Sequence, residues 1–203
     1  MTDAAPRNGK PWPPICFVTG TQIATCKGTR PIESLRPGDK VITRDNGIQE
    51  VAWAGHREFT ATQLDHHEDL RPIRIKAGAL GNNTPETDIL VSPNHRMLIT
   101  DMKSNLLFGE PEMLVAAKFL VNGKTIRREP QLFVHYVHLL FDTHELVFAE
   151  GAVSESFFPA GAVGAIIDPA EAALFEDLNA TASIEMELVR PELRGYEAAL
   201  LVA

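Results

Sequence analysis

The chain has 203 residues, which is enough for one domain with a full apolar core, or for one domain with a small appendage. Its hydrophobic residues make up 44% and its charged residues 23%, as is ordinary for a soluble globular protein. The formal net charge of −8 argues against a nucleic-acid-binding protein, which needs a basic face, and no stretch approaches the ~18 apolar residues of a membrane span.

The first segment, residues 1–14, is predicted to be an extended and flexible arm. Three of its last four residues are prolines, which disfavour both helix and ladder hydrogen bonds. It lacks the apolar stretch of a secretory signal, so we expect a cytoplasmic location by default, with non-classical export left open. Two cysteines do not make a disulfide framework, and each must be interpreted by its own chemistry.

The next part of the chain, residues 15–159, is predicted to be one domain of short strands. Apolar, β-rich pieces separated by Gly, Asn, Asp and Pro recur along it, which favours an all-β sandwich or pseudo-barrel. The predicted strands are 15–18, 22–25, 40–43, 49–54, 73–76, 88–92, 96–99, 132–141, 145–149 and 153–158.

Helices are predicted at three places. Residues 111–120 are rich in helix formers and begin with Pro111, which suits a first helical turn. After residue 159 a helix is expected to start at Asp168, and a weaker one at 192–202, with Gly195 inside it. We interpret residues 160–203 as a small helical tail packed on the β domain.

The segment that begins at Cys16 carries the most specific pattern. It reads C-F-x-x-G-T-x-I-x-T from Cys16 to Thr25, and then G-x-x-P-I-E-x-L-x-x-G-D-x-V from Gly28 to Val41. About fifteen positions agree in type and spacing with the first conserved block of Hint domains. These are the self-cleaving modules shared by inteins and hedgehog proteins.

Two further blocks extend this resemblance over roughly 15–159. Ser92-Pro93-Asn94-His95 resembles the Thr-x-x-His block, with Ser where Thr is usual, and the stretch 144–157 resembles the block near the end of the domain. The ending Ala-Glu-Gly-Ala-x-x-Glu-Ser-Phe at 149–157 is similar to stand-alone bacterial Hint domains. The resemblance implies a pseudo-two-fold β horseshoe or sandwich.

The chemistry of three residues fits self-cleavage. The thiol of Cys16 can reach the carbonyl carbon of Ile15 through a five-membered ring, and such proximity can be worth effective molarities of ~10⁵ M or more. The leaving amine then needs a proton, and we predict that the imidazole of His95 gives it at neutral pH. The Ser92 hydroxyl, on the same turn, is expected to hydrogen-bond or distort the scissile peptide.

Two more histidines are candidates for the site. His138, Asp142 and His144 share parity, so a continuous strand would place them on one face. His144 matches the histidine of the last block and is expected to assist the acyl shift or its resolution. His138 stands where inteins often carry Asp, which leaves a proton donor of different charge, whereas Asp142 is expected only to orient a neighbour.

Other polar residues are given structural interpretations. Cys26 is predicted to lie at a turn, although a Cys16–Cys26 disulfide, which would silence the nucleophile, is left open. His66 and His67 are expected in a solvated loop, and a His135–His138 metal pair is disfavoured by parity. We predict neither a metal site nor a cofactor.

The sequence departs from both activities of the larger family. Splicing needs a His-Asn pair at the end of the domain, and none follows Phe158; the only later Asn, Asn179, follows Leu178. Sterol transfer, as in hedgehog proteins, has no recognisable acidic counterpart after the strand 49–54. We therefore predict neither splicing nor cholesterol attachment.

Three functions remain open. The first is a single-turnover cysteine autoprotease that cleaves the Ile15–Cys16 bond by an N–S acyl shift, with its own N-terminal segment as substrate and water, an external thiol or an amine as acceptor. The second is a catalytically silent Hint-fold interaction module. The third, a metal-binding or secretion-associated accessory protein, depends only on scattered histidines and acidity.

Overall fold

Short strands joined by tight turns make up most of the computed structural model, which describes residues 15–158 and 186–202. In chain order the strands are β1 (Phe17–Val18), β2 (Gln22–Thr25), β3 (Gly28–Pro31), β4 (Lys40–Thr43), β5 (Gly47–Glu50), β6 (Trp53–Thr60), β7 (Ile73–Ile75), β8 (Ile89–Val91), β9 (Arg96–Thr100), β10 (Glu112–Ala116), β11 (Ile126–Arg128), β12 (Phe133–Leu140), β13 (Leu146–Ala149), β14 (Ala152–Glu155) and β15 (Glu192–Leu193). The prediction of an all-β fold is confirmed.

Helical segments are short and lie between these strands or after the last of them. The α-helices in the described part are α1 (Ala61–His66), α2 (Met102–Phe108) and α3 (Gly195–Val202), and the 3-10 helices are Ile32–Ser34, Glu68–Leu70 and Ala117–Phe119. None of the helices within 15–158 and 186–202 is long and apolar enough to cross a membrane.

The strands form two sheets. The first has the order β11-β7-β8-β1-β12-β6, and the second has the order β15-β10-β9-β14-β13-β2-β4-β5, with β3 paired to β2. The main apolar core draws buried residues from both, for example Val137 of the first sheet and Val147 of the second. A smaller apolar cluster surrounds Cys16.

Strand β1 is central to the first sheet although it is only two residues long. It runs antiparallel to both neighbours, with Phe17 opposite Val137 of β12 and opposite Val91 of β8. The peptide bond before Cys16 therefore lies at the entrance to a strand that is held on both sides.

The predicted helix at 111–120 is wrong. Residues 112–116 form β10, which pairs antiparallel with β9 along its whole length and parallel with β15. Met113 and the three residues after it are all buried, so the segment has no polar face to give a helix its solvent side. Burial on both faces of a strand overrides the helix propensity of this apolar run.

The tail differs from its prediction at 192–202. The segment begins with β15, and α3 starts only at Gly195. A side chain at this glycine would meet the Phe119 ring, because an added Cβ would lie 2.8 Å from one of its carbons. Glycine thus permits a close approach to the β domain at the start of the helix. The predicted arm at 1–14 and the predicted helix at Asp168 lie outside the described residues.

Candidate functional site

Two hydrogen bonds join Ser92 and Cys16, one through the side chain of Ser92 and one through its backbone amide. The amide of Cys16, which is the nitrogen of the Ile15–Cys16 bond, donates to Ser92 Oγ at 2.9 Å. In return the Ser92 amide donates to the Cys16 carbonyl at 2.9 Å. Because β8 ends at Val91 beside β1, the chain delivers Ser92 directly to the nitrogen that a cleavage would release.

His138 reaches the same peptide bond from β12. The Cys16 Sγ atom lies 3.2 Å from His138 Nδ1 and 3.1 Å from Nε2. His138 Nδ1 also lies 3.0 Å from the carbonyl oxygen of Ile15. Since a carbonyl oxygen only accepts, this contact favours the tautomer with the proton on Nδ1, which leaves Nε2 free to accept from the thiol.

Aromatic rings and a glycine form the wall behind His138. The Phe157 and Trp53 ring centroids lie 4.9 Å and 6.3 Å from that of His138. Gly55 of β6 is the residue opposite His138 in the β12 register, and an added Cβ there would come within 1.8 Å of the Trp53 ring. The missing side chain at Gly55 therefore makes room for the indole.

His95 is close to these groups but is not hydrogen-bonded through its ring. Its amide donates to the Ser92 carbonyl at 3.0 Å, and its ring lies 4.3 Å from that of Phe17, the residue after the cysteine. The ring is completely buried, and neither of its nitrogens has a hydrogen-bond partner among the described residues. Before cleavage, the nitrogen of the scissile bond is therefore hydrogen-bonded to Ser92 and not to His95.

Burial keeps the groups around the scissile bond neutral. It raises the pKa of the Cys16 thiol well above its ordinary value, an effect that a hydrogen bond with Ser92 partly offsets. Burial also lowers the pKa of His95 to about 3 and that of His138 to about 3, and in His138 the contact with the Ile15 carbonyl opposes this shift. At pH 7 the site therefore holds a thiol and uncharged imidazoles.

His144 lies in a different set of contacts. Strand β12 ends at Leu140, close to its predicted limit, so no continuous strand carries Asp142 and His144 on the same face as His138, and Asp142 is exposed in the turn. His144 is buried all the same, and its Nδ1 accepts from the Val189 amide at 3.3 Å. The hydrogen-bonded partner of this histidine thus comes from the C-terminal segment.

The other side of His144 faces a buried ion pair that sequence reasoning missed. Glu155 accepts from the amide and from the Nη1 atom of Arg96, both at 2.7 Å. His144 Nε2 lies 3.4 Å from Glu155 Oε2, which is within ion-pair distance although the two atoms are not aligned as a hydrogen bond. Arg96 extends the network to Glu192 of β15 at 3.2 Å.

The other polar residues lie apart from this group. Cys16 and Cys26 are both free thiols, the first buried and the second exposed, so the alternative of a disulfide between them is wrong. His66 is exposed on α1, which replaces the predicted loop, and His135 pairs with Glu58 at 3.5 Å. Within residues 15–158 and 186–202 no cluster of His, Cys, Asp and Glu could hold a metal ion.

A sequence model of the Hint domain matches residues 15–161 of this chain. The chain belongs to the Hint family. The resemblance of its three blocks to this family is thereby confirmed, and the chain is a domain of the autoprocessing type.

Solved structures similar to this Hint domain include inteins and an intein-like domain. The bacterial intein-like domain from Clostridium thermocellum is 18% identical and covers 70% of this chain and 97% of its own, with a TM-score of 0.44. The MchDnaB-1 intein is 13% identical, and the match covers 69% of this chain and 98% of the intein with a TM-score of 0.44. A splice-inactive variant of the AceL NrdHF class 3 split intein is 15% identical, covering 72% and 99% with a TM-score of 0.45. No curated protein matches this Hint domain.

Proposed function

We propose that this Hint domain cleaves its own Ile15–Cys16 bond once, through a thioester on Cys16. The observation that carries this proposal is the position of His138, whose ring contacts both the nucleophilic sulfur and the carbonyl oxygen that the sulfur would attack. One imidazole can then serve both partners of the first step.

In that step the thiol proton passes to His138 Nε2 and the sulfur attacks the carbonyl carbon of Ile15. Negative charge develops on the Ile15 oxygen, 3.0 Å from Nδ1, and a donor that strengthens as the oxyanion forms is worth about 2–4 kcal/mol. His138 therefore acts as general base and as oxyanion donor. Local proton transfer replaces a pre-formed thiolate, which burial disfavours.

In the second step the carbon–nitrogen bond breaks as the Cys16 nitrogen gains a proton. That proton is the one taken from sulfur, so no net charge accumulates. Ser92 Oγ lies beside the nitrogen and orients it. We assign to His95 the transfer of this proton from His138 to the Cys16 nitrogen. An imidazole whose two nitrogens have no hydrogen-bond partner can accept a proton at one nitrogen and donate from the other. Its contact with the nitrogen forms only as the peptide distorts.

In the third step a nucleophile resolves the thioester. With water the products are a carboxylate on Ile15 and a restored thiol on Cys16, which is now the N-terminal residue and carries a free α-amine. The substrate is thus the chain's own N-terminal segment, and an external thiol or amine can replace water. We assign His144 to assisting this resolution, held by Val189 and Glu155.

The test is intact-mass spectrometry of the full chain with and without hydroxylamine. We expect a product that begins at Cys16, lost in the Cys16→Ala variant and retained in the matched Cys26→Ala variant, since Cys26 is exposed away from the site. A strong decrease, about 10²–10⁴-fold, is expected for His138→Ala. A chain that stays intact for days in hydroxylamine would overturn the proposal.

The second candidate is a catalytically silent interaction module. It is favoured by one observation, namely that burial keeps the thiol of Cys16 protonated and the imidazoles of His95 and His138 uncharged. This function predicts an intact N-terminus and no change in behaviour on substitution of Cys16, so the same mass measurement separates the two.

A further inference from the structure

The nucleophile shares a buried apolar cluster with a segment of the chain that has no part in the chemistry described above. Cys16 belongs to a small apolar cluster that is separate from the main core, with Phe59, Val134 and Tyr136 from the sheet below it. The remaining members, Leu64 and Leu70, come from residues 61–70, which hold α1 and the following 3-10 helix. We call residues 61–70 the cover segment.

The cover segment turns one side inward. Leu64 and Leu70 are 0% and 1% exposed, whereas Gln63, Asp65 and His66 between them are exposed to solvent. Cys16 itself is only 1% exposed. The thiol and the two leucine side chains are therefore all buried in the same apolar cluster.

Hydrogen bonds to three of its backbone carbonyls hold the cover segment in place, two of them from other strands of the domain and one from Arg71, the residue that follows it. The Tyr136 hydroxyl donates to the Leu70 carbonyl at 2.8 Å, in a buried position. Arg71 Nε donates to the Leu64 carbonyl at 3.1 Å, and Arg128 Nη1 donates to the Glu68 carbonyl at 2.6 Å. Tyr136 thus belongs to the same cluster as Cys16 and also makes the buried hydrogen bond to the cover segment.

From this arrangement we infer that the cover segment, through Leu64, Leu70 and Tyr136, determines which acceptors reach the thioester on Cys16. This inference depends on the proposed function, because the acceptor matters only if the thioester forms. With the cover segment closed, only small nucleophiles such as water or hydroxylamine enter. Bulkier thiols react in proportion to the time the segment is open, and a segment anchored by two leucines can open without global unfolding.

The first test measures the accessibility of the thiol and does not need cleavage. In a Cys26→Ser chain, where Cys16 is the only thiol, labelling by iodoacetamide is followed by mass. We expect slow labelling that Tyr136→Phe accelerates by about tenfold, as expected when one buried hydrogen bond of the closed state is lost. Leu64→Ala should accelerate it further, and more than Leu35→Ala, a matched change in the main core.

The second test compares acceptors in chains that cleave. Cleavage by hydroxylamine is set against cleavage by glutathione, a bulky thiol, in the wild type and in Leu64→Ala. We expect the variant to raise the glutathione rate relative to the hydroxylamine rate. An unchanged ratio, or equal labelling of Leu64→Ala and Leu35→Ala, would overturn the inference alone. If the variants label as expected but no chain cleaves, the proposed function would be overturned, and with it the role of the cover segment in selecting acceptors.

Discussion

The buried His95 gives the sharpest test of how this site is built. Its ring has no hydrogen-bond partner among the described residues, and burial holds its pKa at about 3. Replacement by leucine, His95→Leu, removes two unsatisfied polar atoms and a titratable group from the interior. In a Cys16→Ala chain, which cannot cleave, the effect of this change on stability can be measured without loss of the N-terminal segment.

Two contributions set the size of the effect. At pH 7 the variant no longer buries an unsatisfied polar group, which costs about 1–3 kcal/mol, so its free energy of unfolding should rise by up to that amount. As pH falls below about 6.5, unfolded His95 binds a proton while the folded form does not, which lowers stability by about 1.4 kcal/mol per pH unit. The loss continues down to about pH 3, where the folded form also binds a proton. At pH 5 it amounts to about 2 kcal/mol, and His95→Leu should abolish it.

Urea unfolding at pH 7 and pH 5 measures both contributions, and a second variant separates them. His95→Gln keeps polar atoms but does not titrate, so it should reduce the pH dependence as leucine does without the gain at pH 7. We expect the advantage of His95→Leu over its parent to grow by about 2 kcal/mol between the two pH values. An advantage that is independent of pH, or a loss at pH 7, would refute the reasoning that His95 is buried, neutral and unpartnered. In the chain that retains Cys16, either substitution should slow cleavage by about 10²-fold or more.

Two further changes test the surroundings of the site. Glu155→Ala leaves the amide and the Nη1 atom of Arg96 without their buried acceptor and should cost about 3–5 kcal/mol in urea unfolding. By contrast, Glu50→Ala, which breaks an exposed ion pair, should cost less than about 1 kcal/mol. Similar losses for the two would contradict the assigned burial. Gly55→Ala should displace the indole of Trp53, with a loss of about 1–3 kcal/mol and a changed near-ultraviolet circular dichroism spectrum. An unaltered spectrum would show that the ring does not lie over the glycine.

Much of the fold could be predicted because its strands are short, apolar and bounded by turn residues. The strands β2 and β4 match their predicted limits, 22–25 and 40–43. The helix α1 was missed although Gln63 Oε1 accepts from the Thr60 amide, a helix-start pattern that is readable in the sequence. The error at β10 has a different origin, because its pairing with β15 depends on a strand far along the chain.

The site could be predicted only in part, because its contacts join distant positions. Cys16 lies 76 residues from Ser92 and 122 from His138, and block spacing suggested all three as candidates. The arrangement of their atoms could not be predicted, since it depends on β1 entering between β8 and β12. No local signal marks Glu155 as a buried partner of Arg96, nor Val189 as the donor to His144.

The position of β1 determines what a cut before Cys16 would leave behind. Phe17 pairs with β8 on one side and β12 on the other, so the new chain end would stay in place at the centre of its sheet. In the proposed reaction only the upstream peptide would depart. Release would then follow first-order kinetics at any protein concentration, and the fraction of molecules with an N-terminal cysteine would record the time elapsed since folding.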